Sequence, residues 1–441
     1  MRYETCCRRL QRGFQNELTV PFSAGREEDW LPLDNAAKIY PATASLRSPA
    51  EFRLAFTLKE PVRLLWLQKA IELLMPRFPY FQVYLRRGFF WYYLQRSSFL
   101  PEVQPLRNVP IGILPIYGKT SPLLRISAGN CTVAVDFSHI LTDGHGGMRF
   151  LTALASEYLK LAGNPGPFPG VMSPGSVPLP EEFEDAHRRH FPRDVSSPAK
   201  MKPAWHLSGT PLKDNQFKLL EGTMPLEQML VLVRSRGMTL TEYLSALHIH
   251  CLAEIHSGER RKIIRLEIPV DMRGYFPSAT MRNFSLYLSP EIDLELGKWT
   301  FDEVASEVHH RVGLLKNEKQ LGRQLHRNVG SEMNPFVKYL PLPLKDLLLS
   351  AFYSSLGEGL HSGVLSNLGP VDVPEAVKEC ITSFHVHINP NSVMKKSCAI
   401  LSYGDKLNIT FAGVIEETGL EKLFFSTLAR KGIDVTVKEL L

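Results

Sequence analysis

One segment holds the residue types that acid–base chemistry needs, at a usable spacing. It reads Phe137-Ser138-His139-Ile140-Leu141-Thr142-Asp143-Gly144, with Gly146 and Gly147 just beyond. Imidazole is the side chain best suited to moving protons near neutral pH. At the end of an apolar alternating run and beside a glycine-rich turn, His139 would be fixed in place yet reachable. Asp143, four residues on, could point back into the turn and pair with an arginine, holding the loop rather than moving protons. Gly144 suits a tight turn where a side chain would clash. The HxxxD spacing admits two further readings: a histidine satisfied by local backbone, and a metal set of His139, Asp143 and His145. No Cys or Glu accompanies those three at ligand spacing.

Other candidates are weaker. His248 and His250 fall in a helical pattern, where positions two apart do not share a face. His385 and His387 would share a face of a strand. The basic stretch from Lys316 to Arg327 reads first as a solvated helix face, with contact to phosphates as the alternative. Gly118-Lys119-Thr120 lacks the upstream glycine of a phosphate-cradling loop. The aromatic run Phe89 to Tyr93 reads first as a core strand within a hairpin, with a stacking platform or membrane-facing patch as the alternative. Cys6, Cys7, Cys131, Cys251, Cys380 and Cys398 show no CxxC spacing and read as reduced thiols.

The elements that must position His139 are legible around it. EFRLAFTLKE (51–60) alternates as a half-buried strand, and PVRLLWLQKAIELLM follows as a helix with Pro61 at its start and Pro76 and Pro79 closing it. FQVYLRRGFFWYYLQ reads as one hairpin and LLRISAGNCTVAVDFSHI as a second, turning around Ala128, Gly129 and Asn130. MRFLTALASEYLKL follows as a helix. A Pro- and Gly-rich stretch from Gly163 to Trp205 then reads as a connector. Beyond it come the helix PLEQMLVLVRSRG, with Gly237 in the stop position, and two helices opened by capping boxes, Thr239/Glu242 and Thr300/Glu303. The strand KIIRLEIPVDMR, the helix PLKDLLLSAFYSSL, several late strands with a Gly404-Asp405 hairpin turn, and the helix LEKLFFSTLARKG complete the pattern. The expected division is a first lobe over 1–162, a connector over 163–209 and a second lobe over 210–441. The expected class is α/β (α+β), each lobe a mixed sheet flanked by helices.

Composition narrows the field. The 441 residues include 51 Lys plus Arg and 45 Asp plus Glu, a net charge of +6, with 44% apolar and 22% charged residues. Such a chain is neither disordered nor collagenous. Its mild charge does not suggest a nucleic-acid binder. Its length calls for roughly two or three cores. No run reaches the ~18 consecutive apolar residues of a membrane span, and the N-terminus lacks the apolar stretch of a secretory signal. The expectation is a soluble cytoplasmic protein.

The HxxxDG motif, His139 to Gly144, resembles that of the chloramphenicol-acetyltransferase-like acyltransferases, which include nonribosomal-peptide condensation domains, plant acyl-CoA acyltransferases, wax-ester synthases and alcohol acetyltransferases. WLPLDNAAKIYPA resembles the opening of the bacterial alcohol-acetyltransferase-like branch, and PRFPYFQVYLRRGFFWYYL its helix–proline–hairpin segment. PVDMR with Arg282 to Phe284, and GVLSNLGPV, resemble the strand, loop and crossover strand of the second lobe. The resemblance runs from about Trp30 to the C-terminus.

It implies two lobes meeting along a tunnel, an acyl thioester on coenzyme A or on a carrier's phosphopantetheine arm as co-substrate, and a small alcohol or amine acceptor. His139 would be general base, with no acyl-enzyme, no metal and no permanently bound cofactor. Asp143 would pair with an arginine of the other lobe, best matched by Arg273. Asn283, Ser285, Ser366 and Asn367 lie in segments the family places near the tunnel and are the oxyanion candidates. Ser138 stands where condensation domains usually carry a second histidine, and the late Asp-Phe-Gly-Trp-Gly motif of the plant enzymes is absent. These departures favour a free-standing enzyme using acyl-CoA. Dependence on an acyl carrier protein, or a noncatalytic binding role, are the alternatives.

Overall fold

The structure is a computed structural model and describes residues 30–45, 48–106, 114, 121–164, 166–213, 216–356 and 358–440. Cys6, Cys7, the start of the chain and Gly118-Lys119-Thr120 lie outside the described residues. The first lobe contains β1 (Trp30–Pro32), β2 (Glu51–Leu58), α1 (Leu64–Leu74), β3 (Val83–Arg87), β4 (Tyr92–Arg96), β5 (Gln104–Pro105), β6 (Leu124–Gly129), β7 (Thr132–Ser138) and α2 (Gly144–Leu161). The second contains β8 (Lys218–Pro225), α3 (Leu226–Arg234), α4 (Leu240–Ile255), β9 (Ile263–Asp271), β10 (Ser285–Leu288), β11 (Glu291–Asp293), α5 (Phe301–Leu315), α6 (Glu318–Met333), α7 (Pro335–Tyr339), α8 (Leu342–Leu356), β12 (Gly363–Pro370), β14 (Lys396–Tyr403), β15 (Lys406–Gly413), α9 (Gly419–Arg430) and β16 (Thr436–Leu440), while β13 (Ile381–Ile388), between β12 and β14 in the chain, joins the first lobe's sheet.

Both large sheets are mixed. The order in the first is β13-β2-β7-β6-β5, and in the second β10-β9-β12-β14-β15-β8-β16, with β11 also on β9. A small third sheet joins β1, β4 and β3. β13 comes from late in the chain yet pairs with β2, placing Phe384 opposite Phe56 and His387 opposite Arg53. This pairing explains why β2 is buried at seven of its eight positions (BBBBBBiB) rather than half-buried as its alternation suggests. The parallel pairing of β12 with β9 and β14 is the matching link inside the second sheet.

Among the described residues, buried apolar side chains form two clusters. One gathers Phe52, Phe56, Phe81, Phe137 and Phe150, the other Leu244, Leu247, Ile264, Phe411 and Phe424. Each such side chain contributes roughly 1.5–3 kcal/mol relative to exposure. The segment between the lobes is ordered by both: Glu182 takes two 2.7 Å hydrogen bonds from Arg77, and Trp205 N–H donates to the Ile263 carbonyl. No helix among the described residues is long and apolar enough to cross a membrane.

Candidate active site

β7 ends at Ser138, and the ladder itself anchors the next residue. His139 N–H donates to the Ala50 carbonyl at 2.8 Å, just ahead of β2. The chain then tightens, with Leu141 and Thr142 N–H both returning to the Ser138 carbonyl. Asp143 caps α2 by accepting from Gly146 N–H at 3.0 Å. The glycines therefore form the first turn of that helix, where a separate turn had been expected. Close approach explains them. A Cβ at Gly146 would stand 2.5 Å from the Met281 carbonyl oxygen, and one at Gly144 would stand 2.6 Å from Leu368 Cδ2.

The second lobe reaches into this turn at several points. Asp143 Oδ2 accepts from Arg273 Nη1 at 2.9 Å and from Phe284 N–H at 2.8 Å. Arg273 also donates to Asp271 and to the carbonyls of Thr280 and Arg282. Burial works against its charge, but Asp143 and Asp271 raise its pKa above the ordinary arginine value. Thr142 Oγ1 donates to the Met281 carbonyl at 2.7 Å. Asn283 Nδ2 donates both to the His139 carbonyl at 2.8 Å and to Asp34 Oδ2 at 3.1 Å. Asp34 is fully buried and also accepts from Ala37 N–H, so a first-lobe segment joins the same network.

The His139 ring is half-buried in the wall of a cavity of about 1480 Å³ that both lobes line. Tyr40 stacks on it at 5.4 Å and 17°, and Phe52 packs beside it at 4.6 Å. Burial lowers its pKa to about 4, against the opposing pull of Asp143, the Thr142 backbone, Asn283 and Asp34. The imidazole is therefore neutral at physiological pH, with a nitrogen lone pair to offer. Glu51, opposite Ser138 in the ladder, also lines the cavity, and burial pushes its carboxyl up to about 7. Burial, with help from Glu267, Asp34 and Asp143, raises the Tyr40 phenol as well.

The remaining candidates divide. Ser285, Ser366 and Asn367 line the cavity with half-buried side chains. Asn367 donates to Thr241 Oγ1 and accepts from Gly369 N–H. Asn283 lines it too, but both of its amide hydrogens are engaged. His145 turns to Asp271 at 3.3 Å, and among the described residues no three His, Cys, Asp or Glu side chains gather as a metal set. From the basic stretch Lys316 to Arg327, Arg327 reaches the cavity wall. His385 instead contacts Glu221 on the second sheet.

Asp34, Tyr40, Glu51 and Phe52 were not singled out as site residues from sequence. Asp34 and Tyr40 stand within WLPLDNAAKIYPA, where the lone acid of a largely apolar run was the available signal. Nothing in local pattern marks Tyr40 or Glu51, because the strand pairing and the two-lobe closure bring them to His139.

No protein-family profile and no curated protein sequence matches the chain. Solved structures do. Polyketide synthase associated protein 5 from Mycobacterium tuberculosis superposes with a TM-score of 0.59 at 16% identity, over 90% of this chain and 97% of that one. The trichothecene 15-O-acetyltransferase TRI3 from Fusarium sporotrichioides gives 0.56 at 13% identity, over 90% and 94%. TRI101 from the same fungus, complexed with coenzyme A and T-2, gives 0.57 at 12% identity, over 93% and 100%. The chain thus shares the two-lobed fold of these three structures. Identities this low establish fold alone, so the chemistry rests on the site.

Proposed function

We propose that the protein transfers an acyl group from a thioester to the hydroxyl or amine of a small acceptor, with His139 as general base. The observation that carries this reading is a neutral imidazole, braced by residues of both lobes, in the wall of a cavity that both lobes line. His139 takes the acceptor's proton as its oxygen or nitrogen attacks the thioester carbonyl. The tetrahedral intermediate collapses, the carbon–sulfur bond breaks, and the thiolate leaves with the proton His139 returns. Holding both substrates together makes an acyl-enzyme unnecessary. Asp143 and Arg273 fix the turn that carries His139. Asn283 is a positioning residue, since its donors are spent on the His139 carbonyl and Asp34. Ser285, Ser366 and the second amide hydrogen of Asn367 are the candidate donors to the oxyanion.

We take acyl-CoA as the donor, in line with the coenzyme A held by TRI101, and an alcohol-acetyltransferase-like activity as the reaction. A second reading, an acyl group on a carrier protein, is favoured by the likeness to a polyketide synthase associated protein. The division at 162 and 209 is our reading of the chain, with β13 as the later segment that closes the first sheet. We place the protein in the cytoplasm, since Cys131, Cys251, Cys380 and Cys398 are free thiols. The deciding assay offers acyl-CoA and acyl-loaded carrier donors with mixed alcohols and amines, and follows free-thiol release. Release with acyl-CoA supports the first reading, and release only with loaded carrier the second. No release with either would leave a noncatalytic binding protein.

A further inference from the structure

The run Phe89 to Tyr93, expected to be core strand, is only partly so. Tyr92 is buried in β4, but Phe89 and Phe90 sit in the hairpin turn ahead of it, 72% and 38% exposed. The second lobe covers one flank of that turn. Leu342 N–H donates to the Phe89 carbonyl, Lys345 Nζ donates to the Phe90 carbonyl, and the Phe90 ring meets Tyr339 edge-on at 6.2 Å. Around this junction α7 and α8 present Phe336 (88% exposed), Tyr339, Leu344, Leu347 and Leu348, all exposed. A soluble protein seldom shows so many large apolar side chains in one place without a use for them.

Three observations say what covers this face. The exposed charges among it are cationic. Arg87 and Lys338 are exposed, and half-buried Asp346 pairs with Arg87 at 3.7 Å and accepts from the Tyr92 hydroxyl. An aromatic and aliphatic surface bearing Lys and Arg and, among the described side chains, no unpaired acid matches the interface of an anionic bilayer, with rings at headgroup depth and cations on phosphates. Next, an apolar groove of about 870 Å³ lies against the same turn, lined by Phe89, Phe90, Trp91 and Met333. Last, the same two helices form part of the reaction cavity, since Val337 of α7 and Leu349 of α8 line it. The outward face and the cavity wall are two sides of one helix pair.

We propose that the hairpin turn with α7 and α8 is a peripheral docking surface for an anionic lipid membrane, placing one mouth of the cavity at the bilayer. This stands apart from the acyltransfer reading, because it requires binding and no turnover.

Flotation of the full chain with vesicles tests it. We expect the protein to float with phosphatidylcholine vesicles containing phosphatidylglycerol and far less with phosphatidylcholine alone, and high salt to narrow the gap. Phe89→Asp with Phe336→Asp and Leu347→Asp should cut the bound fraction at least tenfold while near-ultraviolet circular dichroism stays unchanged. Lys338→Glu should weaken binding to the anionic vesicles only. Wild-type protein left at the bottom of the gradient with both compositions overturns the proposal without needing any variant. So does a wild-type dimer in light scattering that the triple variant converts to monomer, which would make the face a contact between two copies.

Discussion

Arg273 Nη1 lies 2.9 Å from Asp143 Oδ2, although 130 residues separate the two in sequence. Both side chains are buried, at 8% and 7% exposure. The carboxylate caps a first-lobe helix through Oδ1, and receives the second lobe at Oδ2 from Arg273 and Phe284 N–H and at Oδ1 from Arg273 Nη2. The turn carrying His139 is therefore set by the closure of the two lobes.

Removing one member of this pair leaves the other charge buried. Asp143→Ala should cost about 3–5 kcal/mol of stability, toward the low end because Arg273 keeps Asp271 and two carbonyls. Urea unfolding measures it. A loss below about 1 kcal/mol, the range of an exposed pair, would remove the bracing role.

His139→Ala should lower kcat/KM by about 10²–10⁴, the usual worth of a positioned general base, and leave a folded protein. Steady-state kinetics beside near-ultraviolet circular dichroism separates the two effects. A folded variant with full activity would end the general-base assignment.

With His139 as the proposed general base, acting in its neutral form, the acid limb of kcat/KM should lie near 4 instead of 6.5, since burial lowers its pKa to about 4. Stability imposes its own limit. His139, His248 and His387 are held near 4, 3 and 4 by burial, so between pH 4 and 6.5 the unfolded chain binds protons that the native one does not. Stability then rises with pH across that window and is lost as pH falls through it. A pH–rate profile normalised to folded protein tests the first point, and thermal unfolding against pH tests the second.

Glu51 has the opposite sign. Its folded pKa, raised to about 7 by burial, makes its contribution fall as pH rises from 4.5 to 7. Glu51→Gln removes the charge without changing shape, so it should stabilise the protein more at pH 8 than at pH 5, by up to ~3 kcal/mol. Equal effects at the two pH values would place the carboxyl in water.

Gly146→Ala and Gly144→Ala should separate. The first presses a methyl on the Met281 backbone carbonyl and should cost about 1–3 kcal/mol. The second meets only the tip of Leu368, which can rotate away. Paired thermal melts decide between them.

Sequence reading found the elements where pattern is local. The capping boxes at Thr239 and Thr300, the hairpin turn at Gly404 and the strand before His139 all appear in the structure. It overlooked β8, where Glu221 and Gly222 interrupt the apolar run, and β16, an exposed strand with almost nothing to bury. At the site, His139, Asp143 and Arg273 stood out through motif and resemblance. Tyr40, Glu51 and Asp34 did not, since their importance comes from tertiary closure. The Phe89–Phe90 turn was misjudged because composition shows that aromatics are present and not which way the chain turns them.

The pairing of β13 with β2 has a consequence for synthesis on the ribosome. Until residue 388 has left the exit tunnel, β2, buried at seven of its eight positions in the finished fold, lacks its β13 neighbour along one edge. An early product ending in the segment between the lobes would expose that edge permanently and tend to associate with others like it. The nascent chain must therefore stay shielded until β13 has emerged.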